Sequence, residues 1–324
     1  MKKIIGIGNA LVDVMTKLEN DVMLNQLGLP KGSMQLVDDA FTEMLQSHIA
    51  PLLKSISAGG SAANTINGLA NLGLETGFIG VVGEDEMGRY FAEDMIKNKI
   101  KPFLFKSPNK SGVATAFVSP DSERTFATYL GAALELMSEH LQDDILKQYN
   151  IIHIEGYLVQ NYELIEKIMQ KAHENGLKVS LDLASFNVVE DNREFLIKLV
   201  KNYVDIVFAN EEEAKAYTNM EPEDALNMLA EHCDIAIVKI GAKGSLIKTA
   251  GQTHIVEAIV AKPIDTTGAG DLYASGFLYG IVNGYAPDKC GRIAAVLAGN
   301  VIEVLGSKMD AERWQKLVVA VSTL

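Results

Sequence analysis

The chain has 324 residues, enough for one large α/β domain or two ordinary ones, and its hydrophobic share of 48% supplies a sizeable core. A net charge of −13 argues against a nucleic-acid surface, which needs clustered Lys and Arg. The two cysteines, Cys233 and Cys290, lie far apart without a CxxC partner, which argues against a disulfide framework and fits a reduced compartment.

Lys2 and Lys3 precede only a short apolar run that breaks at Gly6 and Gly8, too short for a secretory core segment. No stretch approaches the ~20 apolar residues of a membrane span, so a cytoplasmic protein with no membrane partner is expected. That first run, Ile4–Gly8, reads as a strand; Ser61–Leu72 has helical spacing, and Thr76–Val82 reads as the next strand. Further strands are expected at Ile151–Glu155, Lys178–Leu183, Asp205–Ala209 and Ile235–Ile240, alternating with helical segments Tyr162–Asn175, Glu211–Thr218 and Pro222–His232. Such alternation requires a mainly parallel sheet with helices on both faces. The middle strands are almost wholly apolar, as when both sheet faces are covered. Two stretches break the rhythm, Asp13–Val37 and Ile100–Gly131, with strand-like pieces at Val113–Val118 and Thr125–Leu130 and no helix between. They are expected to form one small β-rich lid, assembled from about 13–37 and 100–131, on a single domain spanning 1–324.

The most informative stretch is Asp265-Thr266-Thr267-Gly268-Ala269-Gly270-Asp271. After it, Ala274, Phe277, Leu278 and Ile281 recur at helical spacing, so a helix starts near Asp271. A glycine-rich turn opening a helix aims several N–H groups at one spot and adds the positive end of the helix dipole, which makes an anion hole. Asp271 in that turn puts a carboxylate where it can accept a proton from an attacking hydroxyl. The plainer reading is a helix cap. A second glycine-led helix start, Gly59-Gly60-Ser61-Ala62-Ala63-Asn64, carries small residues that let a ligand approach and an amide that can bind vicinal hydroxyls. Close helix–sheet packing is its plainer reading.

Together these stretches resemble the signatures of the ribokinase-like (PfkB) family of carbohydrate and nucleoside kinases. Gly80-Val81-Val82-Gly83-Glu84-Asp85-Glu86-Met87-Gly88, Asn210-Glu211-Glu212-Glu213 and Lys239-Ile240-Gly241-Ala242-Lys243-Gly244 are similar to further family motifs in the same order. The resemblance implies a three-layer α/β fold with a β-rich lid, and an ATP- and Mg²⁺-dependent kinase acting on a primary hydroxyl of a small molecule. It implies Asp271 as the base, with Gly268, Ala269 and Gly270 holding the transferring phosphoryl group. Lys239, Gly241, Gly244 and Thr267 would lie along the ATP, and Asn210 and Glu213 would hold Mg²⁺ through water. Asn210 and Glu213 also fit a capping box. Asp265 would belong to a monovalent-cation site, so K⁺ activation is expected if that site is kept.

Asn9, Asp13, Gly59, Gly60 and Asn64 would form the acceptor wall, Asp13 accepting hydrogen bonds from vicinal hydroxyls. Glu123-Arg124-Thr125-Phe126 is similar to the lid strand of adenosine kinases, whose arginine reaches toward the phosphates; a surface pair of Arg124 with Glu123 or Asp121 is the alternative. A nucleoside such as adenosine is the favoured acceptor, with ribose, fructose or a related sugar open, and a non-catalytic sugar- or nucleotide-binding regulator the remaining reading. Monomer and homodimer both stay open. A dinucleotide fingerprint fails because Leu11 stands where the third glycine of GxGxxG belongs, and no GxxxxGK[ST] loop is present.

Overall fold

The computed structural model describes residues 2–50, 52, 54–121 and 123–324. Runs of Ile, Val and Phe bounded by Gly, Asn and Asp build fourteen strands among them. In chain order these are β1 (Ile4–Ile7), β2 (Leu11–Lys17), β3 (Met34–Leu36), β4 (Lys54–Gly59), β5 (Thr76–Gly83), β6 (Ile100–Ser107) and β7 (Gly112–Val118). They continue with β8 (Arg124–Tyr129), β9 (Ile151–Glu155), β10 (Lys178–Asp182), β11 (Ile206–Asn210), β12 (Ile235–Lys239), β13 (Ser245–Thr249) and β14 (Gln252–Val256).

Nine strands make one sheet in the order β14-β13-β12-β11-β10-β9-β1-β5-β6. Its pairings from β12 through β6 are parallel, and β13 and β14 add an antiparallel edge. Strand residues alternate between two apolar layers. On one side Ile152, Val179 and Val207 meet helices Tyr162–Glu174, Arg193–Tyr203 and Glu211–Thr218. On the other, Phe208, Ile237 and Ile247 meet helices Ser61–Asn71, Ala269–Val282 and Pro287–Val301. Burial on both faces is why the central strands are mainly apolar, and the mid-strand polar pair His153 and Ser180 satisfies itself with a hydrogen bond of 2.9 Å. The parallel register then lines those ends up: Glu155 sits opposite Asp182, and Asn210 opposite Lys239.

The other five strands form a smaller sheet, ordered β3-β8-β7-β2-β4. One face, with Val12, Val14, Phe117 and Ala127, is covered by Leu24 and Leu27 of helix Val22–Leu27 and Leu45 and Ile49 of helix Asp39–Ile49. The opposite face carries Asp13 and Met15, and Met15, Ala116 and Val118 pack with Phe126 and Leu305.

The membership of this sheet departs from the expected 13–37 and 100–131. Residues 100–107 are β6, paired with β5 at the edge of the large sheet, because Phe103 and Phe105 find cover in its core. β4 joins the small sheet although it lies outside both ranges; its Ser55 and Ser57 gave no apolar signal. A helix, Val22–Leu27, also interrupts the first range. Ser122, inside the second, lies outside the described residues.

Helices Ala269–Val282 and Pro287–Val301 meet through glycine: a Cβ at Gly276 would lie 2.7 Å from Ala294 Cα. Only separation of the two backbones would relieve that contact. Gly276→Ala is therefore expected to lower stability by about 1–3 kcal/mol, read from the midpoint of urea denaturation.

Candidate active site

Gly268 adopts φ 76°, the left-handed region, and caps helix Ala269–Val282. A Cβ there would also meet Ser307 Cβ at 2.7 Å, so the turn tolerates no side chain at that point. The turn delivers Asp271 to the first helical turn, beside a second helix start at Ser61. Ser61 Oγ donates to Asp271 Oδ1 at 2.7 Å, and Asn64 Nδ2 donates to Asp271 Oδ2 at 3.0 Å. Asn64 is held in turn by Ser307, whose Oγ donates to Asn64 Oδ1 at 3.0 Å. Two helix N-termini thus face one carboxylate, a favourable field for anions. Of the three expected anion-hole groups, the Ala269 N–H is engaged by the Thr266 carbonyl at 3.2 Å. Gly270 leaves its backbone uncovered toward Lys239, whose Nζ would be 3.1 Å from a Cβ there.

Ser61, Asp182, Asn210, Glu213, Lys239, Gly268, Gly270 and Asp271 share a polar cleft of about 260 Å³. It lies outside the carboxyl ends of the parallel strands, where open α/β sheets place ligands. Lys239 Nζ pairs with Asp182 Oδ2 at 3.1 Å. Burial works against its charge, but Asp182 and Glu213 outweigh it and hold its pKa above the ordinary lysine value. Asn210 and Glu213 form the capping box: Glu213 N–H donates to Asn210 Oδ1 at 2.8 Å, and Asn210 N–H donates to Glu213 Oε2 at 2.8 Å. Asn210 Nδ2 donates to the other oxygen, Oε1, at 2.6 Å; Glu213 nonetheless lines the cleft, and burial pushes its pKa up to about 7. Burial likewise raises Asp271 to about 6, against the pull of Ser61 and Asn64.

Gly241 and Gly244 lie in the turn between β12 and β13 and are not among the cleft's lining residues. Gly244, at φ 103°, presses against the Val256 carbonyl; Gly241, at φ 55°, stands open beside Glu211.

The residues expected to bind the acceptor lie around the start of helix Ser61–Asn71. Asp13 lies against Gly59, where any Cβ would collide with its carboxylate. Its pKa is pushed up to about 7 by burial, with Lys308 opposing and Asp271 reinforcing the rise. Gly60, at φ 94°, abuts the Asn9 carbonyl. Asn9 itself is turned inward: its N–H and Nδ2 donate to Glu155 Oε1 at 2.8 and 2.6 Å.

Arg124 leaves β8 and pairs with neither Glu123 nor Asp121. Its Nη1 donates to Asp265 Oδ1 and Thr267 Oγ1, while Nε and Nη2 are buried without a partner. Asp265 is buried and also accepts from the N–H groups of Thr267 (2.7 Å) and Gly306, so it requires a counter-charge and the guanidinium supplies it.

Sequence reasoning missed Glu155, Asp182, Ser61 and Ser307. Glu155 Oε2 also accepts from Ala62 N–H at 3.0 Å, which joins β9 to the Asn9 loop and the Ser61 helix. A signal existed for Glu155 and Asp182: each is an acid at the carboxyl end of a predicted central strand.

Among the described residues no group of three or more His, Cys, Asp and Glu side chains forms a metal cage. The acidic pair Asp182 and Glu213 on one wall, facing a glycine-rich helix start, fits Mg²⁺ carried in with phosphates and waters. No helix is long and apolar enough to cross a membrane among those residues.

The comparisons with known proteins agree with this geometry. Residues 54–313 match the model of the pfkB family of carbohydrate kinases. A probable sugar kinase from Rhizobium etli superposes with a TM-score of 0.89 at 34% identity, covering 98% of both chains. An adenosine kinase from Sinorhizobium meliloti superposes at 0.88 with 32% identity, covering 98% of this chain and 99% of that one. A nucleoside kinase from Methanocaldococcus jannaschii is 32% identical over 80% of this chain and 84% of its own. The chain belongs to the pfkB family of carbohydrate kinases and has its ribokinase-like α/β fold. It is a sugar or nucleoside kinase, an ATP-dependent phosphotransferase.

Glu155 supplies a stability test. Burial raises its pKa from 4.5 to about 7, so the folded chain keeps a proton that the unfolded chain has lost. Its contribution to stability therefore falls as pH climbs from 4.5 toward 7. Glu155→Gln, which cannot ionise, is expected to gain on the wild type by on the order of 2–3 kcal/mol from about pH 5 to about pH 7.5 in parallel urea titrations.

Proposed function

We propose that this kinase moves the γ-phosphoryl group of ATP to a primary hydroxyl of a nucleoside such as adenosine. The observation that carries the chemistry is Asp271, its carboxylate held by Ser61 and Asn64 at the mouth of two helices. In that position it takes the proton of the acceptor hydroxyl as the oxygen attacks phosphorus. The Gly268–Gly270 turn faces the negative oxygens of the group in transfer, and Lys239 adds a fixed positive charge on the same wall. Asn210, Glu213 and Asp182 would hold Mg²⁺ through its waters; bound there, the ion neutralises developing phosphate charge. Thr267, Gly241 and Gly244 would follow the nucleotide, with Gly241 the more accessible of the two glycines. Asp265 engages Arg124 in this structure, so K⁺ at that carboxylate, and Arg124 on a phosphate, both require the guanidinium to swing away.

At the acceptor end, Asp13 and Asn9 would bind the sugar hydroxyls, and Asn64 would divide its hydrogen bonds between Asp271 and the substrate. The nucleoside is favoured by the likeness to the Sinorhizobium meliloti adenosine kinase and the Methanocaldococcus jannaschii nucleoside kinase. A cavity of about 690 Å³ beside the small sheet, where Met15 and Leu305 meet Lys17, Glu19 and Lys54, has a mixed lining and does not include Asp13. A sugar acceptor is the second reading, favoured by the likeness to the Rhizobium etli probable sugar kinase.

The decisive assay is ADP release from Mg·ATP across adenosine, other nucleosides, ribose and fructose. Turnover confined to nucleosides supports the proposal; turnover on a sugar keeps the chemistry and overturns the acceptor. Silence with ATP still bound would favour a non-catalytic regulator. Asp271→Ala is expected to lose about 10²–10⁴-fold in kcat while calorimetry still shows ATP binding. Because the base works ionised, kcat/KM should fall as pH drops below about 6.

A further inference from the structure

Lys308 sits in a loop whose neighbours are all tied down. The Gly306 N–H is on Asp265, Ser307 Oγ is on Asn64, and Met309 is buried with Trp314 and Leu317. That anchoring fixes where the lysine stem begins. Its Nζ is buried and makes no hydrogen bond, and its ion-pair partner Asp94 Oδ2, on helix Glu86–Lys97, is 3.7 Å away and equally without one. A buried ammonium left in this way is costly unless negative charge surrounds it. The same loop reaches the Asp13 face of the small sheet, where Leu305 packs with Met15 and Gly306 lies against its Cε. Burial lowers the Lys308 pKa, and the charges of Asp94, Asp13 and Asp271 oppose that fall.

We propose that Lys308 is a positioning residue for the acceptor: its ammonium, paired with Asp94 and acting on Asp13 from beside it, keeps Asp13 as the carboxylate that receives the acceptor's hydroxyls. The inference rests on reading Asp13 as an acceptor-binding residue. The charged groups facing Asp13 are few. Its partners across the sheet, Ser57 on β4 and Ala114 on β7, carry no charge. Lys308 comes from the loop after helix Pro287–Val301, Asp271 from helix Ala269–Val282, and Asp94 acts through Lys308. Burial and Asp271 both favour the protonated acid, and Lys308 is the group that opposes them. A neutral Asp13 would offer hydroxyl donors fewer and weaker acceptor sites than the ionised one.

The test needs no substrate to begin. In the full-length chain with ¹³C-carboxylate aspartate, the Asp13 resonance is identified by its loss in Asp13→Asn and titrated by NMR. The midpoint is expected near 7 in the wild type. It should rise by about one pH unit or more in Lys308→Met, stay close to the wild-type value in Lys308→Arg, and fall in Asp94→Asn, where Lys308 loses its competing carboxylate. Opposite shifts from the two neutralising variants are what a merely structural role would not produce. An unchanged midpoint in Lys308→Met, or shifts of the same sign, would overturn the proposal. With the acceptor that turns over fastest in the panel, Lys308→Met should raise the acceptor KM about tenfold near pH 7. Its kcat and KM for ATP should stay near wild type, and the KM gap should narrow toward pH 9. An acceptor KM that Asp13→Asn leaves untouched would sink the acceptor reading of Asp13 even with the NMR shifts in place, so the two failures are distinguishable.

Discussion

The hydrogen bonds from Ser61 and Asn64 to the Asp271 carboxylate join two helix starts that are some two hundred residues apart in the chain. Everything around them serves that junction. Ser275 Oγ reaches the Thr65 carbonyl at 2.8 Å, and a side chain at Gly68 would collide with Ser275, so the two helices touch along their length. Below the junction, Glu155 grips the Ser61 helix and the Asn9 loop together. Beside it, Ser307 holds the far end of Asn64. A carboxylate placed by this many partners loses little freedom when a reaction begins, which is the condition for positional catalysis.

The same edge of the sheet concentrates acid. Asp13, Glu155, Glu213 and Asp271 all have pKa values raised by burial, in a chain already strongly negative. Two lysines divide that charge by position. Lys239 serves the end where Asp182 and Glu213 stand, and Lys308 serves the end where Asp94 and Asp13 stand, with Asp271 between them. The proposed site, which would admit a polyanion and a neutral acceptor side by side, would use this zoning, because one uniform field would favour only one of the two.

The small sheet contributes by having two unlike faces. One is closed by its own two helices, and the other carries Asp13 and Met15, the latter packed with Leu305. Its tie to the large sheet includes a buried ion pair, Arg124 with Asp265. Arg124 keeps two buried nitrogens without partners, so the tie is incompletely satisfied and costs less to open than a fully bonded one.

The alternation of apolar strands and amphipathic helices, the glycine turn before Asp271 and the Asn210–Glu213 cap were all legible in the chain, because each depends on residues within about one turn or one strand of each other. Asp271 and Asn64 were singled out separately for the same reason. What only the tertiary structure decided was contact between distant segments. It turned Asn9 and Asn64 partly inward onto Glu155 and Asp271, moved residues 100–107 into the large sheet, recruited β4 into the small one, and set Arg124 on Asp265. Burial raised the four carboxyls and gathered Lys308 with them, and burial is a property of the whole packed chain that no local pattern of residues carries.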